Sequence, residues 1–410
     1  MRKTFLEYEM IAPLLLTCIS TTTIATTGET EIESPNKLSF KERLIYRFIL
    51  NERRVYKHWY TRFLLCGLDL GRIRRVVSRI DTWYGWCSEW EKEGDHLKQL
   101  AEGALSRKEA CSARGLFHEA AGCYHIGQHI FYIDYEQKNR VQEKVREMYE
   151  RAVALYRKDQ RPTKVEIPFR RVRIPGYVWR AQQRKYPLVI LINGMDNLKE
   201  IEQHHFARML SEAGFNVLTF DGPGQGEMWE RMKFIPDYHE AVSAIIDWLE
   251  QNEDEHMDLK KIGTLGFSLG GYLSPLAAGF DRRICCAVGN GGPSYLRHSP
   301  RKEALDPMKI NPMWHRGFSY MTGKRTYTEA IEQFDINIKK APPMDRPLLI
   351  FQSGKDKVIP NGRAHADYFM EWAIGEKELK FYPDGEHVCA NYLDEVIPYT
   401  IDWLTMHLKP

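Results

Sequence analysis

The sequence predicts an α/β protein, a mostly parallel β-sheet flanked by helices with an all-helical segment ahead of it. Three observations lead there. Residues 39–159 carry few prolines and read as helical throughout. Beyond Pro162, apolar strand-like runs alternate with helical runs, the signature of parallel strands joined by crossover helices. One such run, residues 262–267, passes through Gly266-Phe267-Ser268-Leu269-Gly270 straight into a helical stretch.

The elements follow in order. Trp83, Trp86 and Trp90 recur at i, i+3 and i+7, so they share one helix face as a packed seam. Residues 110–121 and 126–135 are expected as two further helices, and 141–156 as a charged amphipathic helix. Residues 165–175 alternate with a strand-like period. Strands are then expected at 188–193, 215–220, 262–267 and 284–289, with helices at 201–213, 237–251 and 270–278 between them. Residues 291–340 break the alternation and hold Tyr295, His298, Trp314, His315, Phe318 and Tyr320; they predict a helical insertion over the site. An apolar strand then ends in Gly354-Lys355-Asp356, a shorter one runs into the loop of His387, and a helix at 391–408 closes the chain. The expected organisation is a disordered extension at 1–37, a helical cap at 38–160, and a catalytic α/β domain at 161–410 with its insertion at about 291–340.

Ser268 is the candidate nucleophile. A serine on a tight strand-to-helix turn exposes its hydroxyl above the sheet, and the flanking glycines leave room for the neighbouring backbone. The following helix N-terminus supplies free N–H groups that stabilise a developing anion. Such a serine needs a base, and the base needs an orienting acid. Asp356 and His387 fall after successive strands, in the order Ser, Asp, His, at the rim where open α/β sheets bind ligands. Asp384 and Glu386 read as turn residues, and Asp335 and Asp345 do not follow an apolar strand. The oxyanion hole is assigned to the N–H of Leu269 and, from the loop Gly194-Met195-Asp196-Asn197 after an earlier strand, the N–H of Met195. Tyr295, His298 and Trp314 are the substrate-contact candidates. Lys199 and Glu200 read as a structural pair one turn into the helix after that loop. Asp221 is placed to anchor a loop, and His204 and His205 read as surface or packing residues on a helix.

Composition sets limits. The chain has 410 residues, 43% hydrophobic and 28% charged, enough for two domains. A net charge of +3 argues against strong attraction to nucleic acid. Arg72, Arg74, Arg75 and Arg79 lie at helical spacing and read as a solvated face. The eight cysteines form no C-x-x-C pair and no zinc-type spacing, which points to a reducing compartment; Cys285 and Cys286 are expected to be buried. No metal and no cofactor is called for. Gly222-Pro-Gly-Gln-Gly226 lacks the Lys-Ser/Thr of a phosphate loop and reads as a turn. The apolar, threonine-rich stretch 11–27 is too short to span a bilayer and is interrupted by Pro13. A cytoplasmic protein is expected, secretion through an atypical signal being the alternative. The partner is a small-molecule substrate, and homodimerisation stays open.

The chain resembles the α/β-hydrolase group that contains 2,6-dihydroxypseudooxynicotine hydrolase, the fermentation–respiration switch protein and fungal polyketide-shortening hydrolases. The resemblance covers about residues 60–408. It rests on Trp83-Tyr-Gly-Trp-Cys-Ser-Glu-Trp90, Ala120-Ala-Gly-Cys-Tyr-His-Ile126, Asn193-Gly-Met-Asp-Asn-Leu-Lys-Glu200, Asp221-Gly-Pro-Gly-Gln-Gly-Glu227 and Gly266-Phe-Ser-Leu-Gly-Gly271. It implies hydrolysis, without a cofactor, of a C–C bond next to a ketone or of an ester or lactone, in a bulky aromatic or polyketide-like metabolite. The pyridine-cleaving member also uses an acidic residue downstream of the nucleophile. Residues 293–303 depart from that pattern, leaving Glu303 and Asp306 as the auxiliary-acid candidates. A carboxylesterase or thioesterase is the alternative within the class. A non-catalytic interaction protein on the same fold is the alternative outside it.

Overall fold

Strands Tyr186–Ile192, Met257–Phe267, Ile284–Asn290 and Leu348–Ser353 form the centre of the protein, and most residues in them are buried, those at 258–261 excepted. Helices cover both faces of this sheet, so apolar residues run on without alternation. The computed structural model describes residues 60–182, 185–252, 254–296 and 312–409. The expected 1–37 extension, His298, Glu303 and Asp306 lie outside them.

The helical part comprises α1 (Tyr60–Leu65), α2 (Leu70–Val77), α3 (Trp83–Ser106), α4 (Ala110–Gln128) and α5 (Tyr135–Ala154). Trp83, Trp86 and Trp90 are fully buried on one face of α3, with successive ring centroids 4.8 and 6.0 Å apart. Burying each large apolar side chain contributes about 1.5–3 kcal/mol. The two helices expected at 110–121 and 126–135 are instead one helix that ends at Gln128, and Asp134 caps α5 by accepting from Gln137 N. Gly122 and Gly127 sit inside α4 as contact points. A Cβ at Gly122 would lie 2.7 Å from the Cys66 carbonyl, and one at Gly127 3.0 Å from Trp90 Cβ. Close helix packing therefore offsets the propensity cost of glycine.

The sheet has eight strands in the order β1-β2-β4-β3-β5-β6-β7-β8. Here β1 is Thr163–Phe169, β2 Val172–Trp179, β3 Tyr186–Ile192, β4 Asn216–Phe220, β5 Met257–Phe267, β6 Ile284–Asn290, β7 Leu348–Ser353 and β8 Lys377–Tyr382. The alternating stretch at 165–175 is a hairpin of two strands, β1 and β2, turned at Arg170 with φ 51°. Only the β1–β2 and β2–β4 pairings are antiparallel; the rest are parallel. One face packs Leu188, Ile190, Leu218 and Ile350, the other Val189, Leu191, Leu265 and Leu349.

Four crossover helices matter for the site. These are α6 (Glu202–Glu212), α8 (His239–Gln251), α9 (Leu269–Phe280) and α12 (Gly362–Trp372); a short α7 (Met228–Arg231) precedes α8, and α13 (Leu393–Leu408) ends the chain. The insertion after β6 contributes α10 (Pro312–Thr322) and α11 (Tyr327–Phe334). The helical core runs on through Tyr177, Leu198, Ile201 and Tyr320, so the β3 loop and α10 sit where helices meet sheet.

Candidate active site

Strand β5 delivers Ser268 at its carboxyl end. The residue sits at φ 57°, ψ −124°, between strand and helix α9. A non-glycine residue at positive φ costs about 1–3 kcal/mol and persists only where its surroundings impose it. The neighbours here do so. A Cβ on Gly266 would lie 2.0 Å from the Gly270 carbonyl, and one on Gly270 2.2 Å from the Ile192 carbonyl. Ser268 N donates to Asn290 O at 2.8 Å, which ties the turn to β6.

Asp356 and His387 reach this turn from the loops after β7 and β8, beyond β6 in the sheet. His387 Nε2 is 2.9 Å from Ser268 Oγ, and His387 Nδ1 is 2.8 Å from Asp356 Oδ2. The Asp356 side chain is fully buried, whereas 17% of the His387 side chain is exposed. Asp356 Oδ1 accepts the Val358 and Ile359 N–H groups, each at 2.8 Å, which fixes the carboxylate plane. The residues after the histidine take left-handed backbone, Val388 at φ 55° and Cys389 at φ 53°. Ser353 Oγ accepts from Cys389 N at 3.2 Å and pins this turn beneath the histidine.

The loop after β3 lies against the serine. The Cβ position of Gly194 is 3.3 Å from Ser268 Cβ, so no larger residue fits there without displacing the turn. Among the described residues the Met195 N–H has no hydrogen-bond acceptor. Leu269 opens α9, and the N–H of a first helical residue has no partner within its helix.

Gln225 is a residue that the sequence did not single out. Its Nε2 donates to the carbonyls of Asn193 and Gly194 at 2.8 and 2.9 Å, and its Oε1 accepts from Tyr238 OH at 2.7 Å. The turn 222–226 is thus a brace for the β3 loop. Gly224 at φ 81° and Gly226 at φ 40° were the available signal.

Lys199 and Glu200 precede α6 rather than lying in it, and they are buried. Lys199 Nζ lies 2.9 Å from Asp221 Oδ2, 3.0 Å from Glu227 Oε2 and 2.5 Å from Glu200 Oε1. Among the described residues neither Glu200 oxygen has a hydrogen-bond partner of good geometry, so the Lys199 contact is an ion pair. Burial pushes the Glu200 carboxyl up to about 7; Lys199 opposes this, and Asp221 and Glu227 add to it. Burial works against the Lys199 charge, but the three carboxylates hold the ammonium well above its usual range. Asp221 does anchor: it also accepts from Asn193 Nδ2 at 2.9 Å and Glu227 N at 3.0 Å.

His204 is buried among Tyr149, Trp179 and His118, while His205 is partly exposed. Burial lowers the pKa of both. Cys286 is buried and Cys285 only half-buried. Tyr295 is buried, its ring 4.5 Å from His365 and 5.1 Å from Tyr368. Trp314 falls in α10, with its side chain outside the described residues.

One cluster of metal-ligand type occurs among the described residues: Cys66, His125 and Glu202, all buried. Two of its three donors, His125 and Glu202, are already engaged. Glu202 Oε1 takes the Arg62 guanidinium at 2.7 Å and His125 Nε2 at 2.9 Å. The guanidinium charge stands where it repels a cation. Among the described residues no helix is long and apolar enough to cross a membrane.

The alpha/beta hydrolase fold family model matches residues 187–324. The 2,6-dihydropseudooxynicotine hydrolase of Paenarthrobacter nicotinovorans is 26% identical over 324 residues, 78% of this chain and 83% of that protein. The crystal structure of the 2,6-dihydroxy-pseudo-oxynicotine hydrolase superimposes with a TM-score of 0.74 at 25% identity, covering 85% of this chain and 96% of that one. The chain is a hydrolase of the α/β-hydrolase fold. Hydrolyase poxO of Penicillium oxalicum is 27% identical over 247 residues, 57% of each chain, so the match spans little more than half of that relative. The family match includes Met195, Ser268 and Leu269, whereas Asp356 and His387 lie beyond it.

Proposed function

We propose that this hydrolase is a serine enzyme that cleaves a bond next to a carbonyl, with Ser268 as nucleophile, His387 as base and Asp356 as the orienting acid. The observation that carries the reading is the continuous chain from Ser268 Oγ through His387 to Asp356. His387 Nε2 takes the Ser268 proton as Oγ attacks the carbonyl carbon, and Asp356 stabilises the imidazolium. The carbonyl oxygen becomes an oxyanion held by the N–H groups of Met195 and Leu269. As it collapses, His387 returns the proton to the leaving group. Water, activated by His387, then releases the acyl group from Ser268.

The substrate class is a ketone flanked by a stabilised carbanion, or an ester or lactone, in a bulky aromatic or polyketide-like metabolite. The relatives' names support it, one being a 2,6-dihydropseudooxynicotine hydrolase. For the ketone, the C–C bond breaks heterolytically and the departing enolate takes its proton from His387. Esterase or thioesterase activity is the second reading, supported by a site complete for acyl transfer without a further acid. In this proposal residues 38–160 act as a cap over a catalytic part at 161–410.

The test sets wild type beside Ser268→Ala with an aryl ester and an aryl 1,3-diketone of similar bulk, products identified by mass. Diketone cleavage that vanishes in Ser268→Ala supports C–C hydrolysis. Ester cleavage alone leaves the esterase reading. Undiminished turnover by Ser268→Ala removes the serine mechanism, whereas a wild type that turns over neither substrate and fails to react with a fluorophosphonate favours an interaction protein.

A further inference from the structure

The loop that carries Met195 is gripped from two sides by different parts of the chain. Upstream of Met195 the sheet part holds it, through Gln225 Nε2 on the carbonyls of Asn193 and Gly194. Downstream the helical part holds it. Tyr132 OH donates to Asp196 Oδ1, His129 Nδ1 donates to the Asp196 carbonyl at 3.3 Å, and Arg62 Nη2 donates to Asn197 Oδ1. Arg62 is itself fixed on Glu202, whose Oε2 accepts from Leu198 N at 3.3 Å. His125 Nε2 donates to the same Glu202, Gln128 Nε2 donates to His125 Nδ1 at 3.0 Å, and Lys138 Nζ donates to the Gln128 carbonyl at 2.7 Å. Tyr132 and Asp196 are 1% and 8% exposed, so solvent competes little for their bond. Helix α10 closes over the same point: a Cβ on Gly317 would lie 2.9 Å from both Met195 Cε and the Tyr132 ring.

We infer that Tyr132 and Arg62 of the helical part are positioning residues for the oxyanion loop, setting where the Met195 N–H points. The inference rests on the serine-hydrolase reading above. It makes the helical part a component of the catalytic apparatus as well as a cover for substrate. An oxyanion donor works only at a preorganised position, because its gain comes from paying no reorganisation cost in the transition state. A displacement of about 1 Å can cost about 100-fold in rate. Burial raises the Asp196 carboxyl above its usual range, with the Tyr132 hydrogen bond opposing it. The carboxyl thus depends on that hydroxyl and has no cation of its own within hydrogen-bonding reach among the described residues.

The experiment compares Tyr132→Phe, Asp196→Asn, Asp196→Ala and the double variant Tyr132→Phe/Asp196→Ala, with rates normalised to sites titrated to completion by a fluorophosphonate. Tyr132→Phe is expected to lower kcat about 10- to 100-fold with KM within about twofold. Affinity for an aryl boronic acid, which forms a tetrahedral adduct on the serine, should weaken by a similar factor. Asp196→Asn keeps an acceptor for the tyrosine and should retain most activity, while Asp196→Ala should match Tyr132→Phe. The double variant should be no worse than Asp196→Ala. A merely structural role would lower the titrated fraction and leave kcat per site alone; that result, or an effect in KM only, overturns the inference. Should Tyr132→Phe not fold, the Asp196→Asn and Asp196→Ala pair reads the same quantity. Ser268→Ala run in parallel separates the two ideas. Activity surviving there defeats the serine mechanism, whereas its loss beside an unaffected Tyr132→Phe defeats this inference alone.

Discussion

His387 Nδ1 meets Asp356 Oδ2 at 2.8 Å while the other oxygen of Asp356 is committed to two peptide N–H groups. That commitment decides what Asp356→Asn does. The amide oxygen must stay on the Val358 and Ile359 N–H groups, so the amide nitrogen must face His387. A donor at Nδ1 forces the imidazole proton onto Nε2, and Nε2 can then no longer take a proton from Ser268. Asp356→Asn is expected to lower kcat about 10³- to 10⁴-fold with the melting temperature little changed. Steady-state kinetics beside a thermal melt check it. A loss below tenfold would show that the asparagine flips and the caps are dispensable.

The backbone of Ser268 stores strain that a side-chain swap exposes. Alanine and glycine both remove the hydroxyl, so Ser268→Ala and Ser268→Gly should be equally inactive. They differ in what φ 57° costs. Alanine keeps the penalty of a Cβ at positive φ, and glycine relieves it. Ser268→Gly is expected to be about 1 kcal/mol more stable than Ser268→Ala in urea unfolding. Equal midpoints would mean that the turn relaxes once the hydroxyl is gone.

The chain order of Ser268, Asp356 and His387 was legible because Ser268 and Asp356 each follow a buried apolar strand, and His387 follows the shorter, half-buried edge strand β8. Their rim could then be placed from chain order alone. Less legible were contacts made by residues with ordinary local chemistry. Gln225 sits in a glycine-rich turn, and nothing local says that its amide grips a loop some thirty residues upstream. The gap expected between residues 121 and 126 does not occur: Gly122 lies inside α4, in close approach to Cys66. Tyr132 falls in a segment expected to be helical, which hid its role beside Asp196. In the folded chain, α4 ends at Gln128 and leaves Tyr132 free to point at the β3 loop.

Glu200 gives the stability of the protein a pH dependence of known sign. Its carboxyl sits at about 7 in the folded chain, from a usual value of 4.5. Between those pH values the folded state holds a proton that the unfolded state has lost. The contribution is therefore fully present below about 4.5 and lost as pH rises through 7. Glu200→Gln removes the titration, and Lys199 keeps Asp221 and Glu227 as partners. The melting temperature of Glu200→Gln relative to wild type should rise between pH 5 and pH 8, by about 1 °C for each kcal/mol involved in a chain of this length. A constant difference across that range would place the proton elsewhere in the cluster.

Trp86 links the tryptophan seam to the end of α4, and there the indole N–H matters as much as the ring. Nε1 donates to the Ile126 carbonyl at 2.8 Å, and Ile126 lies in the last turn of α4, where carbonyls lack an intrahelical partner. Trp86→Phe leaves that buried carbonyl unsatisfied, which costs about 1–3 kcal/mol, while the seam keeps an aromatic ring. Trp86→Ala adds a cavity among Phe63, Trp83 and Trp90 and should cost about 3–5 kcal/mol. Because α4 carries His125 and Gln128 toward the β3 loop, with His129 at its C-cap, loosening its end should appear as faster hydrogen exchange at residues 194–197 as well as in a lower unfolding midpoint. Exchange confined to α3 and α4 would show that the helical part loosens without releasing the loop.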